Sequence, residues 1–230
     1  MCDIVLESLA SGEAVLTGEE KELGTALLDL GGGTTDLAIF SDKNIRHTFV
    51  LALGGNNLTN DIAIGLRAPH AEAEKIKTRY GTCLSKSVSA DDMIEGPGMG
   101  GREARKLPRQ ILGEILEPRM EEIFTLAKRE VYRAGLENSI PSGLVLTGGT
   151  SLLEGTTEIA ESVFNLQTRL GKPQGITGLV DVVNNPMYAT GVGLVIYGAK
   201  RQSSKKFRIR DNNIFNRIMT RMKRWFQEVV

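Results

Sequence analysis

The run ALLDLGGGTTDLAIF, residues 26–40, constrains this chain more than any other feature. Residues 25–30 and 36–40 are rich in Leu, Ile and Ala and read as two strands. The connection between them is too short for a helical crossover, so the strands must pair as an antiparallel hairpin. SDKN then makes a turn, and IRHTFVLAL alternates well enough for a third strand. The three glycines are therefore a bare backbone tip inside a meander. They form neither a Walker loop, which needs a following Lys-Ser/Thr, nor a dinucleotide fingerprint, which needs a following helix.

Gly31, Gly32 and Gly33 allow a ligand to approach the main chain and aim amide N–H groups at an anion. Thr34 and Thr35 add hydroxyl donors. Asp29, at the end of the incoming strand, is placed to hold a hydrated Mg2+ or orient a water. A plain hairpin with a glycine bulge fits the same residues. A second stretch, LVLTGGTSLLEG at 144–155, shifts the balance toward a ligand. It reads as a buried strand, a Gly148-Gly149 turn and a helix, where a flat group can lie against backbone at a helix N-terminus.

The remaining elements alternate in an α/β manner. Residues 4–17 have helical spacing, which GEEKELG interrupts. A helix is expected from about Leu58 to Leu66, capped by Asn57 or Thr59, and APHAEAEKIKTRYG gives another between Pro69 and Gly81. Residues 82–108 are mixed and polar, with a loop at EGPGMGGR. Residues 108–134 carry the longest helical pattern, through Ile111, Ile115, Leu116, Ile123, Leu126, Ala127 and Val131. TSLLEGTTEIAESVFN and NNPMYATGVGLVIYGAK complete the helices. No repeat of solenoid length is present.

Cys2 and Cys83 are too few and too separated for a disulfide framework, and His47 and His70 lack zinc-site spacing. The N-terminal segment has no secretory pattern, and no apolar run reaches the roughly 20 residues that span a bilayer. The zero net charge conceals an asymmetry. From Lys200 onward ten Lys/Arg face two Asp/Glu, a charge of +8, so the preceding residues hold eighteen against twenty-six, or −8.

Residues 200–211 read as a basic linker. In NNIFNRIMTRMKRWFQEVV, 212–230, a helical projection gathers Ile214, Phe215, Ile218, Met219, Met222, Trp225 and Phe226 with Val229 and Val230 on about 160° of arc. Arg217, Arg221, Lys223 and Arg224 occupy the other side. Packing on its own domain, a protein partner or nucleic acid are the alternatives for such a helix. Arginines flanking Trp225 and Phe226 favour an interfacial anchor on anionic lipid.

The ordered pair LDLGGGTTD and LVLTGGTSLLEG resembles the second-phosphate and adenosine motifs of the actin, Hsp70 and sugar-kinase superfamily. RHTFVLALGGNNLTNDIAIGL, AEAEKIKTRYG, GGREARKLPRQILGEILEPRMEEI and QGITGL resemble the bacterial cell-division family FtsA, and the resemblance runs over essentially the whole chain. It implies an α/β, actin-like (ribonuclease H-like) second lobe with a mixed sheet, an inserted smaller α/β subdomain and a C-terminal amphipathic helix. The expected organisation is a first-lobe remnant at 1–24, the nucleotide subdomain at 25–66 and 140–199, the insertion at 67–139, the linker at 200–211 and a membrane-targeting helix at 212–230. ATP and Mg2+ are the implied cofactors. Asp29 and Gly31 to Thr34 would face phosphates and metal; Gly148, Gly149 and Thr150 would face adenosine. Glu74 and Lys77 would neighbour adenine and ribose, although their spacing alone fits a solvated i,i+3 ion pair.

By the same resemblance, Arg102, Arg109 and Arg119 would receive the C-terminal tail of the tubulin-like protein FtsZ; solvated surface arginines are the alternative. Anionic lipids, other division proteins and self-association into actin-like filaments are the further implied partners, with no nucleic acid. The implied place is peripheral, on the cytoplasmic side of the membrane at the septum. The superfamily's first glycine hairpin and most of its first lobe find no counterpart, so the chain reads as a C-terminal portion. The expected role is a scaffold tethering FtsZ filaments to the membrane, with little or no ATPase activity in this portion. The competing readings are a Mg-ATP hydrolase whose turnover drives assembly, and another actin-like protein of pilus assembly or cell shape.

Overall fold

The structure is a computed structural model that describes residues 4–89, 91–96, 105–177 and 180–201. A five-stranded mixed sheet in the order β3-β2-β1-β6-β7 forms its centre. The glycine meander supplies β1 (Thr25–Leu30), β2 (Thr35–Ser41) and β3 (Asn44–Leu51), paired antiparallel in sequence. β6 (Leu144–Thr147) and β7 (Thr168–Leu170) add in parallel on the other side of β1. β1 is buried along its whole length, as expected for a strand covered on both faces, which cannot show polar alternation.

Its two faces feed two cores. Ala26, Leu28 and Leu30 join Leu37, Ile39, Leu58, Ile62, Leu116, Met120 and Phe124 in the larger one. Leu27 joins Val15, Ala38, Phe40 and Val145 in the smaller one. The larger core lies under α3 (Gly55–Leu66), α4 (His70–Tyr80), α5 (Gln110–Arg133) and α6 (Thr156–Phe164). The smaller one lies under α1 (Glu7–Val15) and the final helix over residues 189–201. A separate hairpin, β4 (Met93–Gly96) with β5 (Arg105–Pro108), stands between α4 and α5.

Four expectations need correction. GEEKELG is not a break but α2 (Gly18–Leu23): Thr17 and Glu20 form a reciprocal capping box that starts a new helix after Leu16 turns extended. α3 begins at Gly55 rather than Leu58, and Asn57 acts from inside the first turn, its Oδ1 accepting from the Gly54 amide at 3.0 Å. The polar stretch 82–108 holds the β4–β5 hairpin, whose strands are too short to display a period. The expected single helix after Gly149 is divided. A 3-10 turn, Gly149–Leu152, comes first, and α6 starts only after Gly155 adopts a left-handed φ of 85°.

Arg169 on β7 clamps the α1–α2 corner. Its guanidinium grips Glu20 with both arms, at 2.6 and 2.7 Å, and donates to the Val15 carbonyl at 2.9 Å. Burial acts to raise the Glu20 pKa, but hydrogen bonds from Arg169 and Thr17 outweigh it and hold the carboxyl below its ordinary value. The folded value is the lower one, so this pair stabilises the protein above the unfolded value of 4.5 and stops doing so as pH falls through the folded value. Arg169→Gln should cost about 1 kcal/mol at pH 7, since the pair is partly solvated. The Tm difference from wild type should shrink on acidification below pH 4.5; a difference independent of pH would remove the charge from the explanation.

Candidate functional site

Three backbone turns meet at one edge of the sheet. The β1–β2 hairpin closes with the Gly31 amide donating to the Thr34 carbonyl at 2.9 Å. The first amides of α3 reach this hairpin: Gly55 N–H donates to Gly31 O at 2.9 Å, and Asn56 N–H donates to Gly32 O at 2.7 Å. Those amides begin a helix and have no partner within it, so the hairpin carbonyls satisfy them. From the far side of the sheet, Thr150 Oγ1 also donates to Gly31 O, at 2.9 Å.

Glycine is demanded by contact at three positions here. A Cβ on Gly55 would lie 2.6 Å from Thr150 Oγ1, and one on Gly54 would lie 2.9 Å from the Gly31 and Gly32 carbonyls. Gly148 has a φ of 86°, and a Cβ there would lie 2.5 Å from both Asp29 Oδ1 and Leu30 O. Gly33, in contrast, faces open space. The exposed tip of the hairpin thus remains approachable while its base is locked.

The three turns and α4 enclose a cleft of about 390 Å3 lined by Gly32, Gly55, Asn56, Glu74, Lys77, Thr78, Gly149, Thr150, Leu152, Leu153 and Met187. One wall is polar and carries the charged pair; the other is formed by Leu152, Leu153 and Met187. Lys77 is the buried cation of the site, its side chain 9% exposed. Its ammonium donates to Gly55 O at 2.8 Å and to Thr59 Oγ1 at 2.7 Å, and it pairs with Glu74 at 2.8 Å. Thr59 also hydrogen-bonds Glu74. Burial pushes the Glu74 pKa up, but hydrogen bonds from Lys77 and Thr59, with the charges of Lys77 and His70, bring it below the ordinary value. The i,i+3 pair is present, yet it faces a cleft rather than open solvent.

Of the residues expected at the site, Gly32, Glu74, Lys77, Gly149 and Thr150 line the cleft together. Gly31 and Gly148 form its base. Thr34 Oγ1 donates to Asp36 at 3.0 Å, Thr35 Oγ1 to Leu53 O at 2.9 Å. These hydroxyls, with that of Thr150, are therefore spent on holding the turns, and of the hairpin tip Gly32 is the residue that lines the cleft. Asp29 lies outside the cleft lining, 5% exposed, and accepts hydrogen bonds from Ser11 and from Thr190, the latter at 3.1 Å. Burial raises its pKa against those two hydroxyls, and the neighbouring Asp36 charge adds to the rise. Among the described residues no cluster of three or more His, Cys, Asp or Glu is arranged to hold a metal directly.

Gly54, Gly55 and Asn56 are site residues that the sequence reading did not single out. The signal was present in LALGGNN, a glycine pair at a strand-to-helix junction.

The three arginines expected at a partner surface separate. Arg102 lies outside the described residues, as do residues 214–226 of the expected membrane helix, with Arg221, Lys223, Arg224 and Trp225. Arg109 is committed to internal partners, the Tyr80 carbonyl, Asp92 and Glu154. Arg119 on α5 grips Asp61 of α3 with Nε at 2.7 Å and Nη2 at 3.0 Å, and also pairs with Glu122. It borders a groove of about 380 Å3 between α3 and α5, lined by Asp61, Ile64, Gly65, Ile115, Pro118, Arg119 and Glu122. Ile64 is 77% exposed there.

A strand–glycine–strand hairpin facing a second glycine turn across a mixed sheet, with a ligand-sized cleft between them, defines an actin-like lobe. Solved structures share that fold. MreB5 of Spiroplasma citri bound to ADP superposes with a TM-score of 0.66 at 19% identity, over 88% of this chain and 61% of that one. A chain of the PilM-PilN type IV pilus biogenesis complex gives 0.64 at 18% identity, over 86% and 53%.

The chain belongs to the FtsA family of cell division proteins, whose family profile matches residues 26–193. Cell division protein FtsA of Pseudomonas aeruginosa is 48% identical over 98% of this chain, and that of Escherichia coli K12 is 41% identical over 85%. The chain spans about half the length of these relatives, 55% and 48% respectively.

The two kinds of glycine should respond differently to a methyl group. Gly148→Ala should cost about 2–4 kcal/mol and lower Tm, because left-handed backbone and contact with Asp29 combine. Gly33→Ala should leave Tm within about a degree of wild type. Equal Tm values for the two variants would contradict the geometry of the cleft base.

Proposed function

We propose that this chain is the nucleotide-binding and partner-binding lobe of an actin-like division scaffold. The observation that carries the reading is the cleft itself. Bare backbone at Gly32 and the Lys77 cation stand on its polar side, and Leu152, Leu153 and Met187 stand on its apolar side. This division fits the phosphates and the base of ATP. Gly149 and Thr150 border the adenosine, and Glu74 is within reach of ribose hydroxyls. Magnesium, carried by the nucleotide, supplies charge neutralisation of the phosphates when bound. Asp29, the carboxylate expected to orient its waters, lies outside the cleft lining and already accepts from Ser11 and Thr190, so no role toward the metal is assigned to it. The MreB5 structures with ADP and AMPPNP support a nucleotide in a lobe of this fold.

Binding rather than turnover is the proposed role. Hydrolysis requires charge stabilisers around the phosphates and a positioned water, and the donor hydroxyls here are engaged in holding the turns. The groove beside Arg119 is the proposed seat of the apolar part of the FtsZ tail: Ile64, Ile115 and Pro118 offer apolar surface, while Arg119, paired with Asp61 and Glu122, holds the groove's shape. Arg102 remains a proposed contact. Residues 212–230 are the proposed attachment to anionic lipid, making the protein peripheral on the cytoplasmic face at the septum, where it joins other division proteins and self-associates. No helix among the described residues is long and apolar enough to cross a membrane.

Titration with Mg-ATP tests the central claim. Lys77→Met should weaken binding by about tenfold or more, the loss of one charge-assisted contact to the nucleotide, and Gly32→Ala, which puts a methyl group into the cleft, should weaken it without lowering Tm. Unchanged affinity in both variants would sink the nucleotide reading. Sedimentation with phosphatidylglycerol vesicles tests the anchor separately: Trp225→Glu should release the protein, and retention would refute that role. Fluorescence anisotropy with an FtsZ-tail peptide completes the set. No loss of affinity in Ile64→Asp, at the most exposed apolar residue of the groove, would move the partner site elsewhere.

A further inference from the structure

Arg109 stands where three structural units meet, and each nitrogen of its guanidinium serves a different one. Nε donates to the carbonyl of Tyr80, the last residue of α4, at 2.8 Å. Nη2 hydrogen-bonds and pairs with Glu154. Nη1 donates to Asp92, immediately before β4, at 3.3 Å, and the Arg109 amide donates to the Asp92 carbonyl at 2.7 Å. Burial works against its charge, but the bonds to Glu154 and Asp92 raise its pKa above the ordinary value.

The first two partners belong to opposite walls of the cleft. α4 carries Glu74, Lys77 and Thr78, while Glu154 directly follows the lining residues Leu152 and Leu153. The walls are also joined by backbone, through the Thr82–Glu154 bridge and the Cys83 amide, which donates to Glu154 O at 2.7 Å. The third partner is the foot of the β4–β5 hairpin, which lines no part of the cleft.

We infer that Arg109 is a positioning residue that couples occupancy of the cleft to the β4–β5 hairpin. A ligand inserted between α4 and the Leu152–Leu153 wall must set the distance between Tyr80 O and Glu154. A planar fork bonded to both cannot follow that change without moving its third arm at Asp92. By reciprocity, a partner that fixes the hairpin alters nucleotide affinity by the same factor. The inference rests on the proposed nucleotide cleft. It gives Arg109 a task different from direct contact with a partner peptide, since all three of its arms are already occupied.

Hydrogen exchange of the full chain, with and without saturating Mg-ATP, tests this. In the wild type the amides of residues 93–96 and 105–107 should slow by roughly fivefold on nucleotide addition, the low end of ordinary coupling. Arg109→Lys, whose single ammonium can serve only part of the set, should bind Mg-ATP within about threefold of wild type yet lose that response. Glu154→Gln keeps the shape of the partner and removes its charge, so it should diminish the response even if Arg109→Lys folds poorly. A merely structural role would change exchange equally with and without nucleotide. The inference falls if the hairpin responds undiminished in both variants, or if wild type binds Mg-ATP without any hairpin response. Failure of the wild type to bind Mg-ATP overturns the cleft reading and this coupling with it.

Discussion

The carbonyl of Gly31 is the point on which the site depends. It accepts the Gly55 amide and the Thr150 hydroxyl, each at 2.9 Å, from segments 24 and 119 residues further along the chain. Each donor is otherwise costly: a first-turn helix amide has no intrahelical partner, and the hydroxyl of a buried threonine needs an acceptor. One oxygen with two lone pairs resolves both and so fixes three turns relative to one another. A side chain at Gly54 or Gly55 would enter the same space, and one at Gly148 would strike Asp29 Oδ1 and Leu30 O, so these glycines are set by contact rather than by local flexibility.

This junction explains what could be read from the sequence. The meander β1–β2–β3, the glycine tip, α4 and α5 were legible because their signals are local periodicity and short-range turn chemistry. The capping box that creates α2 was legible too, as Thr17 three residues before Glu20, but the acidic run around it masked the signal. Gly55 and Asn56 were not recognised because a glycine pair gains meaning only when its contact, the distant Gly31 hairpin, is known. The division of the helix after Gly149 likewise depends on Leu84, which packs where a side chain on Gly155 would stand.

The arginines show the same limit more sharply. Arg102, Arg109 and Arg119 lie within one glycine-to-helix stretch and look alike in sequence. In the fold, Arg119 binds Asp61, 58 positions away, and Arg109 binds Glu154, 45 positions away. Long-range ion pairs leave no periodic trace. They also change the meaning of exposure, because a guanidinium whose nitrogens are all engaged can position neighbours but cannot offer a free fork to a partner.

Lys77 and Glu74 carry the argument about ligand charge furthest. A cation 9% exposed requires compensation, and here it comes from one carbonyl, one hydroxyl and one carboxylate. The three are not equally fixed. Gly55 begins α3 and cannot move without opening the Gly31 junction, and Thr59 Oγ1, one turn on, is bonded to Gly55 O. Glu74 is 42% exposed and can turn toward solvent at little cost. In the proposed function, an incoming anion would replace the carboxylate while the other two acceptors stay in place, and the released Glu74 would accept hydroxyls from the same ligand. A neutral ligand would gain no such exchange. The proposed nucleotide would fit this arrangement, since its phosphate is negative and its ribose places hydroxyls beside that charge.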